Sequence, residues 1–245
     1  MLLITRSLTR LQIKHIEFDH FTLYDTDGSA APFVAPLLRQ HASFTYYPNW
    51  AATACTAAAT RLSPYCSETL MENHCMWNAR GTAEWVMLIH APDCFVNESP
   101  GAPALLQLLD TLDDSISSLL LPTFVFENPP NYEYVNVTAA DIFHIFTQRR
   151  CPMLLASRHM PIFDPHDVAV GLVHEELTAS GARQYTAAIA VHHYFQLFSG
   201  RGSGNLEWSE HAGNAVPYCE DSSMAAMGQV VYDLLQQSAA LSVAT

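Results

Sequence analysis

One short apolar segment constrains the fold of this chain more than any other. Residues 85–89 (Trp-Val-Met-Leu-Ile) are all apolar, which predicts a strand buried on both faces of a parallel sheet. The segment is followed by His90 and, after a proline, by Asp93. Because open α/β sheets bind ligands at the carboxyl ends of their strands, His90 and Asp93 are candidate ligand-binding residues. The alternative interpretation is a core strand followed by a simple turn.

The patterns on both sides of this segment alternate between strand and helix. Phe18–Tyr24 predicts a strand, residues 32–40 a short helix and Ala42–Pro48 a second strand, an order typical of a βαβ unit. Ala104–Leu112 has apolar residues at helical spacing, and Leu119–Glu127 predicts another buried strand. We therefore expect an α/β fold with a mostly parallel sheet flanked by helices.

No linker or internal repeat interrupts this alternation, so we expect residues 1–245 to form a single domain. The later segments are less regular, but Thr186–Tyr194 is apolar and Met224–Gln237 has the clearest helical spacing in the chain.

The charge of the chain argues against nucleic acid and anionic membranes as partners. The sequence has 11 Lys and Arg against 24 Asp and Glu, a formal net charge of -13 at pH 7. Phosphate-rich surfaces are bound by basic patches, which this chain is too acidic to form over a large area.

The cysteines and two sequons bear on the cellular compartment. The six cysteines include no CxxC pair, which argues against a zinc ribbon and leaves buried thiols or up to three disulfides open. Glycosylation sequons at Asn97 and Asn136 favour a secretory compartment, whereas residues 1–10 are too short for a signal peptide or membrane anchor. Either the chain is cytosolic or its true start lies upstream, and we favour the second.

Several polar motifs carry candidate chemistry. Asp25 and Asp27 follow a predicted strand in Asp-Thr-Asp-Gly, where carboxylates bind a ribose or a metal, or bond the backbone of their own turn. His192 and His193 end an apolar segment and could add a ligand to His90 and Asp93. The alternative is that one of the two packs inward and the other points to solvent.

Other motifs exclude common enzyme classes. His174-Glu175-Glu176 lacks the second histidine of a metalloprotease helix, and no GxSxG, P-loop or GxGxxG motif occurs. A metal hydrolase would rest on the 12 histidines alone, because no motif spacing fits one. Clustered aromatic residues could stack on sugar rings, although core packing is their more frequent use; the candidates are Tyr46, Tyr47, Trp50, Trp77, Tyr132 and Tyr134.

The order of these motifs resembles that of glycosyltransferase family 92 over most of residues 13–235. The matching residues are Asp19–Phe21, Tyr24–Ser29, Cys75, Arg80, Trp85-Val86, Asp93–Phe95, Leu121-Pro122 with Phe124, Arg149-Arg150, Arg158 with Pro161, His174 and His193-Tyr194. The resemblance implies a GT-A-like, Rossmann-type fold whose first strand lies upstream of Met1 or is absent. It also implies a UDP-hexose donor and Mn²⁺.

The resemblance also implies roles for particular residues. Asp93 would bind the metal with help from His90 and from His174 or His193, because the first carboxylate of the family's D-x-D motif is replaced here. The other implied residues are the donor-binding Asp25, Asp27, Arg80, Arg149 and Arg158, and a catalytic base at Glu175 or Glu176.

Two functions follow from the resemblance. The first is a metal-dependent hexosyltransferase that moves a hexose, galactose by resemblance, from a nucleotide sugar to a glycan acceptor. Its full-length form would be membrane-anchored in the Golgi or secretory lumen. The second is a non-catalytic glycosyltransferase-like binding module, which the altered D-x-D motif and the missing first strand favour.

Overall fold

The computed structural model of the protein describes residues 18–40, 43–62, 66–89, 94–98, 103–126, 147–150, 159–172, 175–178, 182–194 and 218–224. The helices in these ranges are α1 (Ala31–Gln40), α2 (Ala57–Leu62), α3 (Cys66–Ala79) and α4 (Leu105–Leu109). The strands are β1 (Phe21–Tyr24), β2 (Phe44–Tyr47), β3 (Val86–Met87), β4 (Cys94–Glu98), β5 (Ser118–Phe126), β6 (Gln148–Arg150), β7 (His159–Phe163), β8 (Val168–Leu172), β9 (Glu175–Thr178), β10 (Arg183–Tyr185), β11 (Ile189–Tyr194) and β12 (Tyr218–Glu220).

The predicted βαβ unit is confirmed near the start of the described chain. β1 and β2 pair in parallel, with Phe21 opposite Phe44 and Tyr24 opposite Tyr47, and α1 connects them. Val34 of α1 packs on Phe44, and both side chains are buried. The helix therefore covers one face of this two-stranded sheet.

β5 is the central strand of a second, eight-stranded sheet. Its first half pairs antiparallel with β7 and in parallel with β10, and its second half pairs in parallel with β11. Residues 117–123 are buried without the alternation of a half-exposed strand. The prediction of a buried strand at Leu119–Glu127 is thus confirmed, because a strand covered on both faces needs a continuous apolar run.

The main core forms around β5 from strands on both sides and one short helix. Leu119 and Leu121 of β5 pack with Ile162 of β7 and Val191 of β11. α4 adds Leu105 and Leu109, which lie one helical turn apart and are both buried. This helix falls within the predicted Ala104–Leu112 segment.

The prediction for residues 85–89 is wrong in two respects. Only Val86 and Met87 form a strand, and β3 pairs antiparallel with β7, opposite Phe163 and Ile162, instead of lying in parallel at the centre. Val86 and Leu88 are buried, but the nine-residue β5 offers more backbone for pairing and takes the central position.

The sheets are mixed in direction, which corrects the expectation of a mostly parallel sheet. Of the nine strand pairings that the structure describes, three are parallel: β1 with β2, β5 with β10 and β5 with β11. The chain therefore has mixed α/β content with partly parallel sheets. Hairpin-type neighbours such as β8 and β9 account for part of the difference, since a short connection between strands produces an antiparallel pair.

The longest described helix, α3, has no counterpart among the predictions. Its buried face carries Met76, which packs with Val86, Phe163 and Val168, but its sequence mixes polar and apolar residues too evenly to predict a helix. A disulfide joins Cys55 to Cys66 at the first residue of α3. Cys219 is also disulfide-bonded, and Cys75 is a free thiol.

The apolar segment Thr186–Tyr194 contains β11, whereas the helix predicted at Met224–Gln237 lies almost wholly outside the described residues. Within the residues that are described, no helix is both long and apolar enough to cross a membrane.

Candidate functional site

The carboxyl ends of β5 and β11 meet at one edge of the eight-stranded sheet. The two strands run in parallel from Thr123 opposite Val191 to Phe126 opposite Tyr194. Such an edge is where α/β sheets commonly bind ligands. β4 is antiparallel to β11, so β4 begins at the edge where β11 ends.

This register places His193 beside the residue that follows Asp93 in the chain. His193 of β11 lies directly opposite Cys94, the first residue of β4. Cα atoms paired in this way are about 5 Å apart, and Asp93 precedes Cys94 by one peptide unit of ~3.8 Å. Asp93 itself lies outside the described residues, as do His90 and His174.

Arg149 lies in the same row of the sheet. It is opposite Phe126 at the end of β5, and Phe126 is in turn opposite Tyr194 of β11. Because neighbouring strands are about 4.8 Å apart, the backbone of Arg149 lies roughly 10 Å from that of Tyr194. The other predicted arginine of this group, Arg158, is outside the described residues.

His192, the neighbour of His193, is a core residue. Its side chain is 1% exposed, and its ring stacks on Phe126 with 4.8 Å between the centroids and meets Phe124 edge-on at 5.6 Å. The expectation that one of the two adjacent histidines packs inward is therefore confirmed. His193 is the member of the pair that remains a candidate ligand.

Asp25 holds together the turn between β1 and α1. Its Oδ1 accepts hydrogen bonds from the backbone N–H groups of Asp27 and Gly28, at 3.3 and 3.0 Å. Its Oδ2 accepts hydrogen bonds from the N–H of Ala30, at 2.9 Å, and from the Tyr46 hydroxyl. Four donors from the protein thus surround this buried carboxylate. This geometry is that of a turn-forming aspartate.

The contacts of this turn help to shift the pKa values of two nearby groups, the Tyr46 phenol and the Asp27 carboxylate. Burial and, after it, the hydrogen bond to Asp25 raise the pKa of Tyr46 to about 12, so the phenol stays protonated and donates. The exposed Asp27 carboxylate accepts a hydrogen bond from the N–H of Ser29 at 2.9 Å, and the bonds from Ser29 lower its pKa. The roles of Asp25 and Asp27 in donor binding stay predictions.

These two aspartates belong to a different sheet from the other candidates. Asp25 follows β1 of the two-stranded sheet, whereas His193 and Arg149 belong to the eight-stranded sheet. Glu175 and Glu176 lie in a third sheet, the β8–β9 hairpin, opposite Leu172 and Gly171. Of the predicted site residues, the described strands therefore align only His193 and Arg149 with the segment that follows Asp93.

Arg80 links α3 to the turn between β7 and β8. Its Nε donates to the Pro165 carbonyl at 2.8 Å, and its Nη2 donates to the Val168 carbonyl. Its guanidinium carbon also lies 3.6 Å above the centre of the Trp77 ring. These contacts give Arg80 a positioning role, and its role in donor binding stays a prediction.

An aromatic cluster at the ends of β1 and β2 surrounds His74, a residue that the sequence did not single out. The rings of Tyr24, Tyr47 and Trp50 lie 5.6, 5.0 and 4.6 Å from the His74 ring. The Tyr24 hydroxyl is 2.8 Å from His74 Nδ1. Burial lowers the pKa of His74 and raises that of Tyr24, so both are neutral near pH 7. The position of His74 within an unpredicted helix explains why it was missed.

Among the side chains that the structure describes, no three of the types His, Cys, Asp and Glu lie close enough together to form a metal site. The sequence matches no protein-family model and no curated protein. The similarity to glycosyltransferase family 92 therefore rests on the motifs alone.

Proposed function

We propose that this protein is a metal-dependent glycosyltransferase of the GT-A type that transfers a hexose, galactose by resemblance, from a UDP-sugar to a glycan acceptor. One observation carries the proposal: the β4–β11 register aligns His193 with the residue after Asp93, at the carboxyl ends of two parallel strands. A ligand site at that edge agrees with the usual position of ligands in α/β sheets. The motif order that resembles family 92 supplies the chemical class.

The residues that the proposal assigns to this edge suit a divalent cation such as Mn²⁺. An imidazole from His193 and a carboxylate from Asp93 would form a pair of metal ligands that suits manganese or zinc, and His90 or His174 would add a nitrogen ligand. When bound, the metal would neutralise charge on the diphosphate of the donor. Arg149, in the same row of the sheet, would offset the remaining phosphate charge.

The acceptor hydroxyl requires a base, for which Glu175 and Glu176 are the proposed candidates. A secretory location is part of the proposal. The Cys55–Cys66 disulfide supports it, because structural disulfides persist mainly in oxidising compartments.

Binding of UDP and Mn²⁺ to the purified chain, followed by calorimetry, tests this proposal. We expect wild-type protein to bind UDP only when Mn²⁺ is present, and to hydrolyse UDP-galactose slowly without an acceptor. Asp93→Asn and His193→Gln should each weaken UDP binding by about tenfold or more, since each removes a direct metal ligand. Asp114→Asn is the matched control, because Asp114 is an exposed aspartate in the turn before β5. Folded wild-type protein that fails to bind UDP would contradict the proposal.

A non-catalytic binding module is the second candidate, and the surroundings of Asp25 favour it. Four protein donors already occupy the Asp25 carboxylate, which leaves it poorly placed to bind a ribose as well. Under this alternative, the chain binds a glycan but releases no hexose from UDP-galactose, with or without Mn²⁺.

A further inference from the structure

Trp77 is a large aromatic side chain held at the surface. Trp77 is 57% exposed, although it belongs to α3, whose buried face packs in the core through Met76. Leaving an indole in water forgoes much of the stabilisation that burial provides. Tryptophan is enriched among the residues that contribute most to binding, so an exposed indole that is fixed in position is a candidate binding surface.

The Trp77 ring is fixed by Arg80. The Arg80 guanidinium covers one face of the ring at 3.6 Å, and two backbone carbonyls, from Pro165 and Val168, anchor that guanidinium. The exposure of the indole therefore comes from its other face and its edges. A ligand that stacks there meets a side chain whose rotamer is already selected, so little conformational entropy is lost on binding.

Polar groups accompany the ring on the same face of α3. His74, Trp77 and Asn78 occupy positions i, i+3 and i+4, which are neighbours on a helix surface. The Asn78 amide nitrogen lies 3.1 Å from both ring nitrogens of His74, and the aromatic cluster holds that imidazole in turn. The Asn78 side chain is exposed, and its amide oxygen takes no part in these contacts.

A flat apolar ring beside a fixed amide matches the chemistry of a pyranose. One face of many hexoses presents C–H groups that pack on an aromatic ring, while the hydroxyls at the rim bond to amides. A phosphate-bearing ligand fits less well, because two of the three Arg80 nitrogens already donate to backbone carbonyls and the chain carries a formal net charge of -13.

We propose that Trp77 and Asn78 form a binding platform for a pyranose ring, with Arg80 and His74 as positioning residues. The platform lies near the amino end of β5, because Arg80 bonds to Pro165 and the neighbouring Asp164 bonds to Ser117, whereas the proposed metal site lies at the carboxyl end of that strand. It is therefore a glycan-binding site apart from the transfer centre, and the assignment of its occupant as a glycan rests on the proposed function. The ring stacks on the free face of Trp77, and a hydroxyl donates to the Asn78 amide oxygen.

Saturation-transfer NMR with lactose and methyl β-galactoside as probes tests the platform. We expect both probes to bind wild-type protein. Trp77→Ala should weaken their binding by about tenfold, the equivalent of one lost aromatic contact of about 1.4 kcal/mol. Trp77→Phe should retain part of the affinity, and Asn78→Ala should reduce it with the ring intact. Tyr185→Ala is the matched control, because Tyr185 is an aromatic residue of similar exposure, 63%, on β10.

The outcomes separate this proposal from the proposed function. Loss of sugar binding in Trp77→Ala and partial retention in Trp77→Phe, with UDP binding unchanged in both, supports the platform. Unchanged sugar binding in the Trp77 variants would overturn it, as would a wild-type protein that binds neither probe. A wild-type dimer that Trp77→Ala converts to a monomer without a change in sugar binding would also overturn it, because the face would then be a protein interface. Failure of UDP to bind would count against the transferase alone.

Discussion

At the scale of single residues, Glu72 is the side chain whose surroundings agree least with its charge. It is 1% exposed, and within the described structure its Oε2 has no hydrogen-bond partner. Glu68 lies one helical turn away on α3, and one of its carboxylate oxygens is also buried without a partner. Burial and, after it, the repulsion from Glu68 raise the pKa of Glu72 to about 7.

This shift predicts an unusual dependence of stability on pH. Because the folded pKa of Glu72 exceeds the unfolded value of 4.5, the protonated carboxyl favours the folded state. This stabilisation is complete at low pH and is lost as the pH rises from 4.5 through 7. Glu72→Gln should therefore be more stable than wild type at pH 8, by on the order of 2 kcal/mol, and the difference should shrink towards pH 4.5.

Urea unfolding of both proteins between pH 4.5 and 8 measures this difference. Asp110→Asn, which removes an exposed carboxylate after α4, serves as the control and should follow the wild-type curve. Parallel curves for wild type and Glu72→Gln would show that Glu72 ionises normally in the folded protein.

At the scale of elements, α3 depends on contacts outside itself. Its first residue, Cys66, is joined by the disulfide to Cys55, and Trp50 Nε1 donates to the Ser67 carbonyl at 3.2 Å. A helix with a weakly amphipathic sequence gains most of its stability from such tertiary contacts. The disulfide therefore fixes the position of the helix that carries His74 and Trp77.

Removal of this disulfide should destabilise the protein by raising the conformational entropy of the unfolded chain. The two cysteines are 11 residues apart, and release of a loop of that length costs about 3 kcal/mol in the chain-entropy model. We expect Cys55→Ser/Cys66→Ser to lower the free energy of unfolding by about 2–3 kcal/mol in urea titrations. Cys75→Ser, which changes a free thiol, controls for the loss of a sulfur atom. An effect no larger than that of the control would show that the disulfide contributes little.

At the scale of the whole molecule, α3 joins the β1–β2 sheet to the β7–β8 region. Tyr24 of β1 contacts His74 near the middle of the helix, and Arg80 just beyond its end bonds to the β7–β8 turn and β8. The same helix packs Met76 against Phe163 of β7. Loss of the Arg80 contacts should thus loosen the connection between these parts while leaving each sheet intact.

Arg80→Ala tests this connection. The variant leaves the Pro165 and Val168 carbonyls without these donors and uncovers one face of Trp77, so we expect a loss of about 1–3 kcal/mol in stability. Amide exchange should accelerate in α3 and β8 more than in β5, as measured by hydrogen–deuterium exchange. Arg80→Lys should not restore stability, because lysine lacks the planar fork that reaches both carbonyls. Arg39→Ala, at the last turn of α1, is a control for the loss of a positive charge. Uniform acceleration across all elements would indicate global destabilisation instead.

The amino-acid sequence alone determined the elements whose signals are local. β1, α1 and β2 were predicted together. Asp25 bonds to the backbone of its own turn, which was one of the two interpretations of the Asp-Thr-Asp-Gly motif. β5 was predicted as buried because its long apolar run leaves no polar face. These features depend on residues that are close in sequence, where periodicity and turn chemistry are encoded.

Only the tertiary structure decided how the strands are arranged. The run at residues 85–89 has the composition of a central strand, yet β3 lies antiparallel beside β7, since pairing depends on competition with β5 over long sequence separations. α3 was not predicted because its partners come from β3, β7 and β8. The alignment of His193 with Cys94 arises in the same way. It depends on the register between β4 and β11, which are far apart in the chain, and no local sequence pattern encodes that register.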